Sequence, residues 1–181
     1  MIQPIAGVAP SQLKEVTNMV VWPSLSATAA GRFFGRLYAL DVGPRIFGVP
    51  VTLGRLIALA SIPFMAALYF LMRLPRFPGV IIGIRNPWCW QYRLTNRRVI
   101  MENPFGAEIK SVALDRFDAI DVVVEPGQGW YKAGDLVFRL GKTETFRIWA
   151  VPRPETFRHT CIKAQMSFVG VKKAREAGAA V

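Results

Sequence analysis

Histidine, cysteine and clustered acids are the side chains that most often do chemistry, and this chain of 181 residues holds few of them in useful places. Its one histidine, His159, has no second ligand at a metal-binding spacing. Asp115, Asp118 and Asp121 recur every third residue, but between strands that spacing does not converge on an ion. Cys89 and Cys161 belong to different expected elements and form no CxxC pair, which suits a reducing compartment. Gly127 and Gly129 flank Gln128 in an ordinary loop, and no Gly-rich motif fits a phosphate. Asp135 follows Gly134 at the start of a strand, where it is expected to bond nearby backbone N–H groups rather than to catalyse. The residues point away from an enzyme. No metal, cofactor or small-molecule substrate is expected.

What remains is positive charge. Arg93, Arg97 and Arg98 fall on one expected hairpin, and Lys110 and Lys132 follow downstream. Such cations can hold an anionic lipid headgroup or a protein partner, or they can form a solvated charge face turned toward a membrane. The net charge is +11, and it is unevenly spread: residues 1–87 hold eight Lys/Arg against two Asp/Glu, residues 88–181 fifteen against ten. Basic excess beside an apolar span signals anionic lipid. Nucleic acid is not expected, because the later part mixes both signs and has no Lys/Arg run longer than two.

The element that must position these cations is the run Leu56–Leu74, uncharged as far as Met72. With Val51–Gly54 it reaches the ~20 residues that cross a hydrocarbon core. Residues 51–74 are read as a transmembrane helix; the competing reading is a buried helix of a soluble core. Arg73 and Arg76 close the run at headgroup level, Arg55 snorkels at the other end, and Pro63 is expected to kink it. Upstream, residues 1–50 carry an amphipathic helix at 25–40. There Phe33 and Phe34 face the lipid interface and Arg32 and Arg36 reach phosphate. Ala27, Gly31 and Gly35 form a small-residue row that admits either a second helix or the protein's own domain. Residues 75–87 are a Pro-containing linker, and Trp88 and Trp90 follow it at headgroup level or in the domain core. The first residues lack the charged start, short apolar core and small-residue site of a secretory signal, so a cleaved signal is not expected.

From Gln91 the apolar period becomes two. Strands are expected over Gln91–Thr95 and Arg98–Asn103, joined by Asn96–Arg97 with Asn in a left-handed backbone. Further strands follow over Ala107–Leu114, Ala119–Glu125, Gly134–Leu140 and Thr143–Ala150, with a hairpin turn at Gly141–Lys142. At Pro154 the pattern becomes helical, with Phe157, Cys161, Ala164 and Phe168 on one stripe and Lys172, Lys173 and Arg175 in the last turns. A frayed tail is expected over 176–181.

Three segments carry a resemblance. They are YRLTNRRVIM (Tyr92–Met101), SVALDRFDAIDVVVEPGQGWYKAGDLVF (Ser111–Phe138) and TFRIWAVPRPETFRHTCIKAQ (Thr145–Gln165). Their order of strands and final helix resembles the bacterial pleckstrin-homology-like (PH-like) membrane proteins over about half the chain; residues through Pro50 lie outside it. The resemblance implies an α+β fold. A PH-like β-barrel or sandwich of about seven antiparallel strands, over residues 88–175, is capped by a C-terminal helix and attached to an N-terminal membrane anchor. It implies a non-enzymatic binding or scaffolding protein whose partners are membrane lipids and proteins in the membrane. Alternatives are an accessory subunit of a membrane complex and a factor in envelope stress or secretion. Positive flanking residues place the PH-like domain on the cytoplasmic side of the inner membrane. A single crossing is preferred to a re-entrant hairpin bending at Ser61 and Pro63.

Overall fold

The computed structural model describes residues 15–46, 49–73, 90–103 and 106–179. The irregular start, the 75–87 linker, Arg76, Trp88 and Cys89 lie outside these residues. Alternating apolar positions build nine strands among the described residues: β1 (Thr17–Val21), β2 (Arg45–Ile46), β3 (Val49–Pro50), β4 (Gln91–Thr95), β5 (Arg98–Glu102), β6 (Glu108–Ala113), β7 (Ala119–Val123), β8 (Ala133–Leu140) and β9 (Thr143–Pro152). The helices are α1 (Ala29–Tyr38), α2 (Leu53–Arg73) and α3 (Pro154–Ala179).

Seven strands form two antiparallel sheets, ordered β1-β4-β5-β6 and β7-β8-β9; β2 and β3 pair only with each other. The inward residues meet in one core. It joins Tyr92, Leu94, Val99, Met101 and Val112 of the first sheet to Ile120, Leu136, Phe138, Phe146 and Ile148 of the second. From α3, Phe157, Cys161 and Ala164 enter the same core, with Phe168 packed at its margin. The barrel is not closed. Between β6 and β7 the chain drops Leu114 and Phe117 into the core, at 0% and 3% exposure, so those strands do not pair. Phe117 then meets Phe138 edge-on at 5.0 Å. The final helix continues through Ala179, past the point where a tail was expected.

The first hairpin has the expected residues but a different lock. Positive φ among the described non-glycine residues occurs at Lys132, Ala150 and Arg153, and Asn96 is not one of them. The turn is closed instead by Thr95, whose Oγ1 accepts from the Arg97 and Arg98 amides at 3.2 and 3.0 Å. A side-chain acceptor of this kind replaces the left-handed residue.

Residues 1–50 were expected outside the domain, yet β1 belongs to its first sheet. Val20 pairs with Arg93 and Val21 with Tyr92. The Ser24 amide also bonds the Ala150 carbonyl at 2.8 Å. Strands before and after α2 are thereby one ladder. Both flanks of α2 therefore meet in one sheet.

Candidate functional site

The hairpin cations are largely neutralised by acids. Arg93 pairs with Glu102 at 2.6 Å, and that carboxylate is buried beside Gln91, whose Nε2 donates to it at 2.6 Å. Arg98 grips Glu15 with Nε and Nη2, at 2.9 and 3.1 Å, and reaches Glu108 with Nη1 at 2.7 Å. The Arg98 hydrogen bond holds the Glu15 carboxyl below its ordinary range, and Glu15 in turn raises the Arg98 guanidinium. Arg97, at the hairpin tip, and Lys110, on β6, are exposed with no ion pair among the described residues. Lys132 lies in the turn before β8, at φ 49° beside Arg153, where it lines an open cleft of ≈ 350 Å³ at the start of α3. The five expected cations therefore do not assemble into one site.

The acids and the histidine disperse in the same way. Asp115 pairs with Lys172 at 3.1 Å, Asp118 accepts from the Gly141 amide at 2.8 Å, and Asp121 pairs with Arg139 at 2.6 Å. No group of three or more His, Cys, Asp or Glu residues could hold a metal among the described residues. His159 is exposed on α3. Cys161 is buried in the core, and burial pushes its thiol up.

Asp135 does what a short acid at a strand start can do, at longer range than expected. Its Oδ1 accepts from the Ala150 amide at 2.9 Å, across an irregularity in the β8–β9 ladder where Ala150 has φ 49°. The extra residue of a bulge leaves an amide without a ladder partner, and this carboxylate supplies one. The same oxygen accepts from Gln128 Nε2 at 2.7 Å, while Gln128 Oε1 accepts from the Glu125 amide at 2.9 Å. Gln128 is thus a buried linchpin, missed because a loop glutamine carries no local signature of burial.

The turn that Gln128 holds receives α1. A Cβ at Gly35 would lie 2.1 Å from the Gly127 carbonyl oxygen. The small-residue row therefore packs on the protein's own domain. Thr28 caps α1 by accepting from the Gly31 amide at 2.9 Å. Arg32 donates to the Ser26 and Ala27 carbonyls, both at 3.4 Å, and Arg36 to that of Pro126 at 3.3 Å, so both guanidiniums engage backbone. Phe33 is exposed, whereas Phe34 packs on Phe64 of α2 at 5.5 Å. Tyr38 hydrogen-bonds Ser61 of α2 through its hydroxyl and meets the Trp130 ring at a tilt, 5.4 Å between centroids. Trp130 and Tyr131 were not singled out from the sequence; their adjacency just after Gly129 was the available signal. Trp90 belongs to the domain: it packs against the core and donates to Tyr92 at 2.7 Å.

Among the described residues, much of the apolar surface of α2 is left uncovered by α1. The segment Leu53–Phe70 is long and apolar enough to cross a membrane, and only 17% of it is buried. Arg73 ends the same helix. A core helix of a soluble protein would be covered on most of its surface. No protein-family model, curated protein or solved structure matches the chain.

Proposed function

We propose that the chain is a non-enzymatic, membrane-anchored binding or scaffolding protein that works at the cytoplasmic face of the inner membrane. The observation that carries this reading is the exposed apolar surface of α2, including Leu56, Leu59, Ile62, Phe64 and Phe70. In water that surface would be a standing aggregation liability; in lipid it is an anchor. Two antiparallel sheets followed by a C-terminal helix support the PH-like reading. The partners are membrane lipids, met by the basic first part of the chain, and proteins in the membrane.

Carbonate and high-salt washing of membranes tests the anchor. The protein stays in the pellet if apolar burial holds it, and release by salt alone overturns the reading. A second reading, an accessory subunit of a larger membrane complex, is favoured by the exposed sides of α2 that α1 leaves uncovered. Extraction in mild detergent separates the two: a stoichiometric partner supports the subunit, and a lone chain that binds anionic liposomes supports the lipid module.

A further inference from the structure

We propose that α2 lies within one leaflet and does not cross the bilayer, so that the whole described chain meets the phospholipid from one side. This rests on the anchoring reading above. Its first support is connectivity. β1 precedes α2, β4 follows it, and the two pair from Thr17↔Thr95 to Val21↔Tyr92. Glu15 and Arg98 clamp the same junction, and Ser24 bonds Ala150 at 2.8 Å. Both flanks of α2 therefore occupy one side.

A return pass would restore the same sidedness, but the sequence does not supply one. The stretch between Arg73 and Gln91 is shorter than the ~20 apolar residues a helical crossing needs. It also contains Pro75, Pro78 and Pro87 together with Arg76 and Arg85. Helix breakers and charges at that density are disfavoured in a membrane-spanning sequence.

The packing of α1 supplies the third support. A Cβ at Gly54 would sit 2.4 Å from the Tyr38 carbonyl oxygen, Ser61 bonds the Tyr38 hydroxyl, and Phe64 meets Phe34 at 5.5 Å. These contacts tie the Phe34–Tyr38 end of α1 to the first half of α2, from Gly54 to Phe64. Sinking α2 end-on would drag α1, with Arg32 and Arg36, into hydrocarbon, where a guanidinium is strongly disfavoured. Laid flat, α2 turns Leu56, Leu59 and Phe70 away from α1 toward the acyl chains, at 51%, 66% and 57% exposure. The arginines of α1 then stay at headgroup level. The excess of cations over acids in residues 1–87 suits an anionic leaflet.

Sided thiol labelling of the full chain tests this. In a Cys89→Ser background, Cys161 is buried and three single variants report position. Val42→Cys lies before α2, Lys142→Cys lies in the β8–β9 turn, and Arg73→Cys lies at the end of α2. Each is expressed in cells, and sealed right-side-out and inside-out vesicles are treated with a membrane-impermeant maleimide. We expect Val42→Cys and Lys142→Cys to label in the same vesicle type, and Arg73→Cys in that type or in neither. Labelling of Val42→Cys and Lys142→Cys in opposite types overturns the proposal in favour of one crossing. Labelling of Arg73→Cys only in the opposite type overturns it in favour of a paired crossing. Both of those outcomes leave the anchor standing. Release of the protein by carbonate overturns the anchor, and this proposal with it.

Discussion

The side-chain hydroxyl of Tyr92, on β4, donates to the Trp149 carbonyl at 2.9 Å and accepts from the Trp149 amide at 3.0 Å, on β9. One phenol thus ties the two sheets together at a point where no strand ladder joins them. Trp90 Nε1, at 2.7 Å, fills the remaining acceptor position. A buried phenol with its donor and both acceptor sites used is fully satisfied. Tyr92→Phe keeps the ring and removes all three bonds, leaving the Trp149 backbone groups without their partner. We expect a loss of about 1–3 kcal/mol in chemical unfolding of the detergent-solubilised chain. A loss under ~0.5 kcal/mol would mean the hydroxyl does not couple the sheets.

Alkaline pH should weaken the same core. Burial raises both the Tyr92 phenol, from an ordinary 10.0, and the Cys161 thiol, from 9.0. The folded state keeps these protons after the unfolded state has lost them. Their contribution is therefore complete below the unfolded values and declines as pH rises above 9 to 10. Each group steepens the decline by up to ~1.4 kcal/mol per pH unit. Cys161→Ala should move the onset upward toward the tyrosine range, read from unfolding midpoints across alkaline buffers. An unchanged onset would remove the thiol from the account.

Acid acts at the other edge of the sheet. The Arg98 hydrogen bond lowers Glu15 from 4.5, so this contact stabilises β1 fully above that value and fades as pH falls through the lowered folded one. Both partners are partly solvated, which keeps the effect local. Amide exchange at Val20 and Val21 should therefore rise in acid relative to Leu94 and Val99, after correction for intrinsic rates. Parallel change in all four amides would show that β1 does not open separately.

Phe157 is 1% exposed and touches the core together with Cys161 and Ala164. Removing its ring leaves a cavity in that core. Phe157→Ala should cost about 3–5 kcal/mol of stability, measured by urea unfolding of the detergent-solubilised chain. A cost under ~1 kcal/mol would place this face of α3 outside the core.

The local parts of the fold were legible because their causes are local. The hairpin Gln91–Glu102, the β8–β9 turn at Gly141, the helix starting at Pro154 and the apolar run of α2 each follow from spacing and turn residues within a dozen positions. What was hidden depends on residues far apart in the chain. Glu15 reaches Arg98, Thr17–Val21 joins the sheet beyond α2, and Tyr92 finds Trp149. The cations of the hairpin read as an open patch because their partners, Glu15, Glu102 and Glu108, come from other strands or from other positions along the same ladder. Gln128 was invisible for the same reason: its importance comes from Asp135, which faces it only once β8 is paired.

Two glycines with opposite surroundings give the last prediction. On α1, a Cβ at Gly35 would meet the Gly127 carbonyl oxygen at 2.1 Å and the Tyr131 ring at 2.8 Å. Neither the carbonyl nor the packed ring can yield without moving α1 off the turn that Gln128 holds. On α3, a Cβ at Gly170 would meet nothing within 4 Å. Both positions are helical, so alanine gains the same intrinsic preference over glycine, roughly 0.5–1 kcal/mol. Gly170→Ala should keep that gain and stabilise the chain. Gly35→Ala should reverse its sign, losing about 1–3 kcal/mol to the forced separation, and should quicken amide exchange along α1. Equal, favourable shifts at both sites would show that α1 sits looser on the domain than its closest contact requires, and would remove the link that couples the β-domain to α2.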